Sequence, residues 1–227
     1  MIPLPDLRVR LDQMTERIVS RLKDRSRYPL NTPVYQPGAV PIEGRSGISF
    51  LEFALEGLEA YHASLGRYSY PDQFPVFSTE LPASKVARTV HKPALPSLRI
   101  AIKDDLLAFY LKLLPDLCPS GEDPDTYGET VYADSDLLEV LNERINVGRY
   151  VAQAKLDGDP SLRPLAGEAL AARLRDAARE EALMESVRQA ARRYQLEPIL
   201  AERVFRWIID ETLVVEVAYV EGLAGDS

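Results

Sequence analysis

The chain has 227 residues, 46% hydrophobic and 27% charged, with 27 Lys and Arg against 35 Asp and Glu for a net charge of −8. That fits one compact domain or two small ones and excludes disorder, since a folded chain of this length buries roughly 70% of its extended surface. The acidic balance excludes a nucleic-acid-binding surface, which needs clustered surplus Lys and Arg.

One cysteine, Cys118, cannot form an internal disulfide, so a reducing, cytoplasmic compartment is predicted. The N-terminal stretch MIPLPDLRVRLDQMTERIVS is charged every few residues and has no apolar core, which predicts no secretory signal. No apolar run approaches ~18 residues, so no membrane span is predicted either.

Helical periodicity dominates. From Asp6, a candidate N-cap, Leu7, Leu11, Met14, Ile18 and Leu22 step by 3 or 4 and draw one stripe. This helix should end before Pro29, and Tyr28–Ser46 reads as a Pro-rich loop. A second helix is predicted from Ser49 to Leu65, with Gly66 at its stop.

Residues 67–97 carry Pro71, Pro75, Pro82, Pro93 and Pro96 and read as an extended excursion with one short helix near Ser84–Val90. A third helix is predicted over Lys103–Leu114, followed by an acidic loop, Cys118–Asp134. A long helix should then run from Asp134 or Ser135 to Leu156, another from Gly167 to Tyr194 with one break, and a last from Pro198 to Val220. The segment TLVVEVAYV (Thr212–Val220) would score as a strand on propensity. It follows ERVFRWIIDE without a breaker and is read as helix. The predicted fold class is all-α.

Several side-chain pairs bear on function. Eleven residues separate Arg144 from Lys155. On an unbroken helix this puts both on one face, about 16 Å apart, where they could bracket a small anion beside Gly148, Ala152 and Ala154. Taken alone, the pair reads more simply as two solvated surface charges. Asp176 with Glu180, and Thr212 with Glu216, are i,i+4 pairs that share a helix face. The first reads more simply as surface charge in the run RLRDAAREE. Glu216 lies among Val214, Val215, Val217 and Tyr219, so it points inward with a raised pKa or occupies the one wet stripe of the helix. Arg8, in the first turn of its helix, opposes the helix dipole, which hints at a role.

Other chemistry finds no support. The loop Asp123–Gly128 begins like a calcium loop but has Tyr127 where an oxygen ligand is required. His62 and His91 lack metal-ligand spacing with Cys118, and there is no Gly-rich phosphate loop or serine nucleophile elbow. A reaction that needs only positioning and electrostatics remains.

Four strings carry a family resemblance: DRSRYPLNTPVY (Asp24–Tyr35), FLEFALEGLEAYHASLGRYSYPDQFPVF (Phe50–Phe77), RINVGRYVAQAK (Arg144–Lys155) and VEVAY (Val215–Tyr219). In this order they resemble the all-helical chorismate mutases, specifically the larger fungal and plant branch, over nearly the whole chain. The resemblance implies a single all-helical domain over 1–227. It also implies the rearrangement of chorismate to prephenate without cofactor or metal, and a homodimer.

Laid on this sequence, the family's pattern assigns Arg8, Arg144, Lys155, Glu180 and Glu216 to catalysis and Asp176 and Thr212 to substrate binding. Fungal members carry Asn where Asp176 stands, and small bacterial members carry Asp. Relatives bind tyrosine or tryptophan through an Arg-Arg pair and an Asn/Gly/Ser-rich loop. Here these read Gly66-Arg67 and Asp125-Thr126-Tyr127-Gly128-Glu129. Arg67 and Gly128 are thus read as remnants of an effector site in which Glu129 would repel the effector's carboxylate. A mutase acting on 4-amino-4-deoxychorismate, an isochorismate-pyruvate lyase or a non-catalytic helical regulator are the alternatives this sequence leaves open.

Overall fold

The computed structural model of the chain describes residues 3–70, 73–78, 80–87, 89, 95–96, 98 and 100–225. Those residues form α-helices joined by short 3₁₀ turns and loops, with no strand among them. The helices are α1 (Leu4–Arg25), α2 (Phe50–Ser64), α3 (Lys103–Leu117), α4 (Tyr127–Asn146), α5 (Gly148–Gly158), α6 (Gly167–Leu174), α7 (Ala177–Arg193) and α8 (Pro198–Gly225).

Local sequence explains most boundaries. Helix α1 starts before Asp6, which sits in the first turn instead of at the cap. Ser49 and Glu52 form a reciprocal capping box on α2, and Gly66, at φ 72°, takes the left-handed conformation just beyond its end. The β-branched run Thr212–Val220 is helical within α8. No helix occupies the described part of Ser84–Val90, residues 84–87 and 89; Arg88 and Val90 lie outside the described residues, as do Pro71, His91 and Pro93.

Three further expectations are corrected. The acidic stretch before Asp134 is not all loop: Pro124 opens a 3₁₀ turn, and α4 begins at Tyr127 with Glu129 in its first turn. Acidic residues there complement the helix dipole. The predicted helix to Leu156 is two helices, parted at Val147. That residue keeps helical dihedrals (φ −60°, ψ −22°) while Tyr150 N–H bonds back only three residues to its carbonyl. Asp176 is not on a helix face; at φ −129° it is the N-cap of α7 and accepts from Arg179 N–H at 3.1 Å.

The chain divides into two compact units, one of Met1–Val19, His91–Ala101 and Leu141–Ser227, the other of Ser20–Val90 and Ile102–Val140. In the first, α8 packs against α5, α6 and α7. Its core gathers Ala152, Leu156, Leu170, Leu174 and Tyr219 in one cluster and Leu7, Met14, Val147 and Tyr150 in another.

In the second unit, the fully buried Arg25 bonds Asp134 at 2.5 Å. Tyr110 and Tyr35 donate to the same carboxylate at 2.5 and 2.8 Å. Arg25 also donates to the carbonyls of Tyr28 and Pro29, which fixes the loop after α1. Helix α2 buries Leu51, Leu55, Glu59 and Ala63 and leaves Phe53 and Tyr61 exposed. Glu59 is satisfied by the N–H groups of Val76, Phe77 and Ser78 at 2.6 to 3.0 Å.

Candidate active site

A cavity of about 110 Å³ opens in the first unit, several times the room a single water needs. Arg8 of α1, Arg144 near the end of α4, Lys155 of α5, Asp176 and Glu180 at the start of α7, and Thr212 and Glu216 of α8 all line it. Thr212 and Glu216 reach it together because positions four apart share a helix face. Arg144 and Lys155 reach it although the helix between them is interrupted.

Arg67 and Gly128 do not line this cavity; both belong to the second unit. Arg67 ion-pairs with Glu139 at 3.1 Å, donates to Gln73 at 2.7 Å and lies 3.4 Å from His62. Gly128 is exposed in the first turn of α4.

An ion pair between the half-buried Lys155 and the buried Glu216 lines the cavity. Lys155 Nζ donates to Glu216 Oε2 at 2.8 Å and to the carbonyl of Leu174 at 2.6 Å. Glu216 is 6% exposed. Burial pushes its pKa upward, and Lys155 and then Arg144 oppose that shift. Of the two orientations its sequence permits, Glu216 takes the inward one. Arg144 is 5% exposed, and its Nε is buried without a hydrogen-bond partner. Burial lowers its pKa to about 10, against the raising influence of Glu216, so it stays cationic at neutral pH. Thr212 Oγ1 is likewise buried without a partner. An unpaired buried donor costs free energy unless something that enters the cavity satisfies it.

The rim is more exposed and already paired. Arg8 bonds Asp176 at 3.0 Å. Two further arginines that sequence reasoning missed line the cavity, Arg175 and Arg179. Arg175 pairs with Glu180 at 3.3 Å and Asp210 at 2.6 Å, and Arg179 pairs with Asp12. They flank Asp176 in the run RDAARE, which reads in sequence as ordinary surface charge; only the break before α7 reveals their direction. The cavity therefore presents five cations against three carboxylates, between apolar walls from Leu11, Val151, Leu174 and Leu183. Such a site suits a small dianion with an apolar body, held by planar forks and a point donor.

An all-helical scaffold with a cation-lined cavity of this kind has the chemistry to hold a small dianion by positioning and electrostatics. The family described as chorismate mutase type II matches residues 127–217. Chorismate mutase 2 of Arabidopsis thaliana is 29% identical over 247 residues, covering 97% of this chain and 92% of that protein. The chorismate mutase of Trichoderma parareesei is 27% identical, covering 88% and 80%. Among solved structures, that of AtCM1 with tyrosine bound in its allosteric site superposes with a TM-score of 0.85 at 28% identity, covering 96% of this chain and 95% of that one. The chain belongs to the all-helical chorismate mutases and is similar to their fungal and plant members.

Proposed function

We infer that this chain is a chorismate mutase, an isomerase that converts chorismate to prephenate for phenylalanine and tyrosine synthesis. The observation that carries the reading is Arg144, buried and cationic with Nε unpaired, in one cavity with the Lys155–Glu216 pair. The reaction is an intramolecular Claisen rearrangement: the ether C–O bond breaks as a C–C bond forms, and no atom is gained or lost. It needs no nucleophile, metal or cofactor.

Arg8 and Arg144 clamp the two carboxylates and hold the compact chair-like conformer, which turns a flexible solute into a near-attack geometry. Arg8 releases Asp176 to do so. Negative charge grows on the ether oxygen as the bond breaks. Lys155 donates to that oxygen, and so does Glu216 in its protonated form, so the stabilisation is concentrated in the transition state. Glu180 accepts from the ring hydroxyl, and Thr212 and Asp176 complete the binding contacts. Continuous loss of chorismate absorbance with purified protein, with prephenate identified as product, tests the reading. Folded helical protein without turnover would overturn it.

Two further parts belong to this proposal. The protein acts in the cytoplasm as a homodimer through the outer face of α2, where Phe53 and Tyr61 are exposed; a monomer in light scattering at micromolar concentration would refute the dimer. Feedback by tyrosine or tryptophan is weakened or lost. Arg67 is committed to Glu139 and Gln73, and Glu129 is exposed in α4 where a carboxylate would meet the effector's own. Calorimetric titration with either amino acid should show no tight binding.

A further inference from the structure

Glycine weakens a helix relative to alanine, yet Gly148 opens α5, is buried, and is not among the residues with positive φ. Its backbone therefore does not require glycine. Space does. A Cβ built there would lie 2.8 Å from Thr212 Cγ2, 3.2 Å from the Thr212 carbonyl oxygen and 3.6 Å from Glu216 Cγ. The first distance is shorter than packed carbon atoms tolerate, the second is tight against backbone that cannot rotate aside, and the third is ordinary contact. Both neighbours line the candidate active site.

The contact also accounts for an anomaly in Thr212. Helical threonines divide between two rotamers because Oγ1 can bond the carbonyl one turn back. Thr212 makes no such bond: its Oγ1 is buried without a partner. The methyl group occupies the hollow over Gly148, and the hydroxyl is left to serve whatever enters the cavity. We propose that Gly148 is a positioning residue, whose missing side chain seats the Thr212 methyl and so fixes the Thr212 hydroxyl, and Glu216 one turn beyond it, for the bound dianion. For its kinetic readout this rests on the mutase reading.

Three variants test it: Gly148→Ala, Thr212→Ser and the pair. The first puts a methyl where the Thr212 methyl sits. The second frees the hydroxyl to rotate back to its own helix. In the pair, the added methyl fills the space that the other left. Gly148→Ala should raise KM about tenfold, the order expected for a lost hydrogen bond to a charged ligand, with kcat reduced less. The double variant should regain most of that loss and outperform the sum of the single changes.

A Gly148→Ala enzyme with wild-type KM, or a double variant no better than additive, overturns the proposal. If Gly148→Ala does not fold, the double variant carries the test. Failure of both to fold would mean that the glycine serves the fold alone, and overturns it too. The threonine χ1 torsion, read from three-bond methyl couplings in labelled protein, stands apart from turnover. Thr212 should hold one rotamer in the parent and change it in Gly148→Ala; an unchanged torsion refutes the seat. A parent protein that turns over no chorismate fails the mutase reading, while the torsion still decides the role of Gly148.

Discussion

At the scale of single residues, the mutase reading depends on two donors at the breaking bond, Lys155 and Glu216. Lys155 is held at 2.8 Å from Glu216 and at 2.6 Å from a backbone carbonyl, so its ammonium is placed before substrate arrives. Removing it in Lys155→Ala takes away the cationic donor at the breaking bond. By analogy with oxyanion-hole deletions, kcat should fall by about 10²–10³. Saturating kinetics beside an unchanged helical circular-dichroism spectrum checks this, and wild-type turnover would remove Lys155 from the mechanism. Glu216 is a donor only while protonated, and burial raises its pKa. Activity should therefore be fully present below that pKa and decline as pH rises through it. Glu216→Gln keeps a donor that does not ionise and should flatten the alkaline limb of the kcat profile. An identical limb in the glutamine variant would show that another group titrates.

At the scale of elements, one recognisable string turns out to hold the fold. Asp24–Tyr35 supplies Arg25 and Tyr35, and these close on Asp134 of α4 and Tyr110 of α3 entirely within the second unit. Breaking a buried pair strands a charge away from water, so Asp134→Ala should cost about 3–5 kcal/mol of stability. Tyr110→Phe removes one neutral donor and should cost about 1–3 kcal/mol. Thermal denaturation ranks them, and equal losses would contradict the pairing. This knot also shows where sequence reading stops. The stripe of α1 and the capping box of α2 are local patterns and could be read directly. Arg25 looks like any other charge at the end of a helix, and its role depends on Asp134, 109 residues away. The same holds for Arg175 and Arg179, whose orientation depends on where α6 stops, and for the early start of α4, whose acidic first turn resembles a loop. The inward direction of Glu216 was one of two open readings, because an apolar run does not say which stripe of a helix faces water.

For the molecule as a whole, charge acts in two opposing ways. The net charge of −8 repels a dianion at long range, while five cations lining one cavity attract it at contact distance. Salt separates them, because the Debye length shrinks from ~30 Å at 0.01 M to ~3 Å at 1 M. If the distant charges governed binding, added salt would relieve the repulsion and lower KM. The cavity cations lie within a few ångströms of any bound carboxylate, and Arg144 is buried where screening is weakest. Their rim partners Asp176, Glu180 and Asp12, which hold Arg8, Arg175 and Arg179, are more exposed. Salt also weakens those exposed pairs, but it competes directly for the same arginines. KM for chorismate should therefore rise steadily between about 0.02 and 0.5 M of an indifferent salt, with kcat nearly constant because Lys155 and Glu216 are buried once substrate is bound. Initial rates over that range decide the matter. A KM that falls with salt would mean the overall acidity of the chain, and not the cavity, sets its affinity for the dianion.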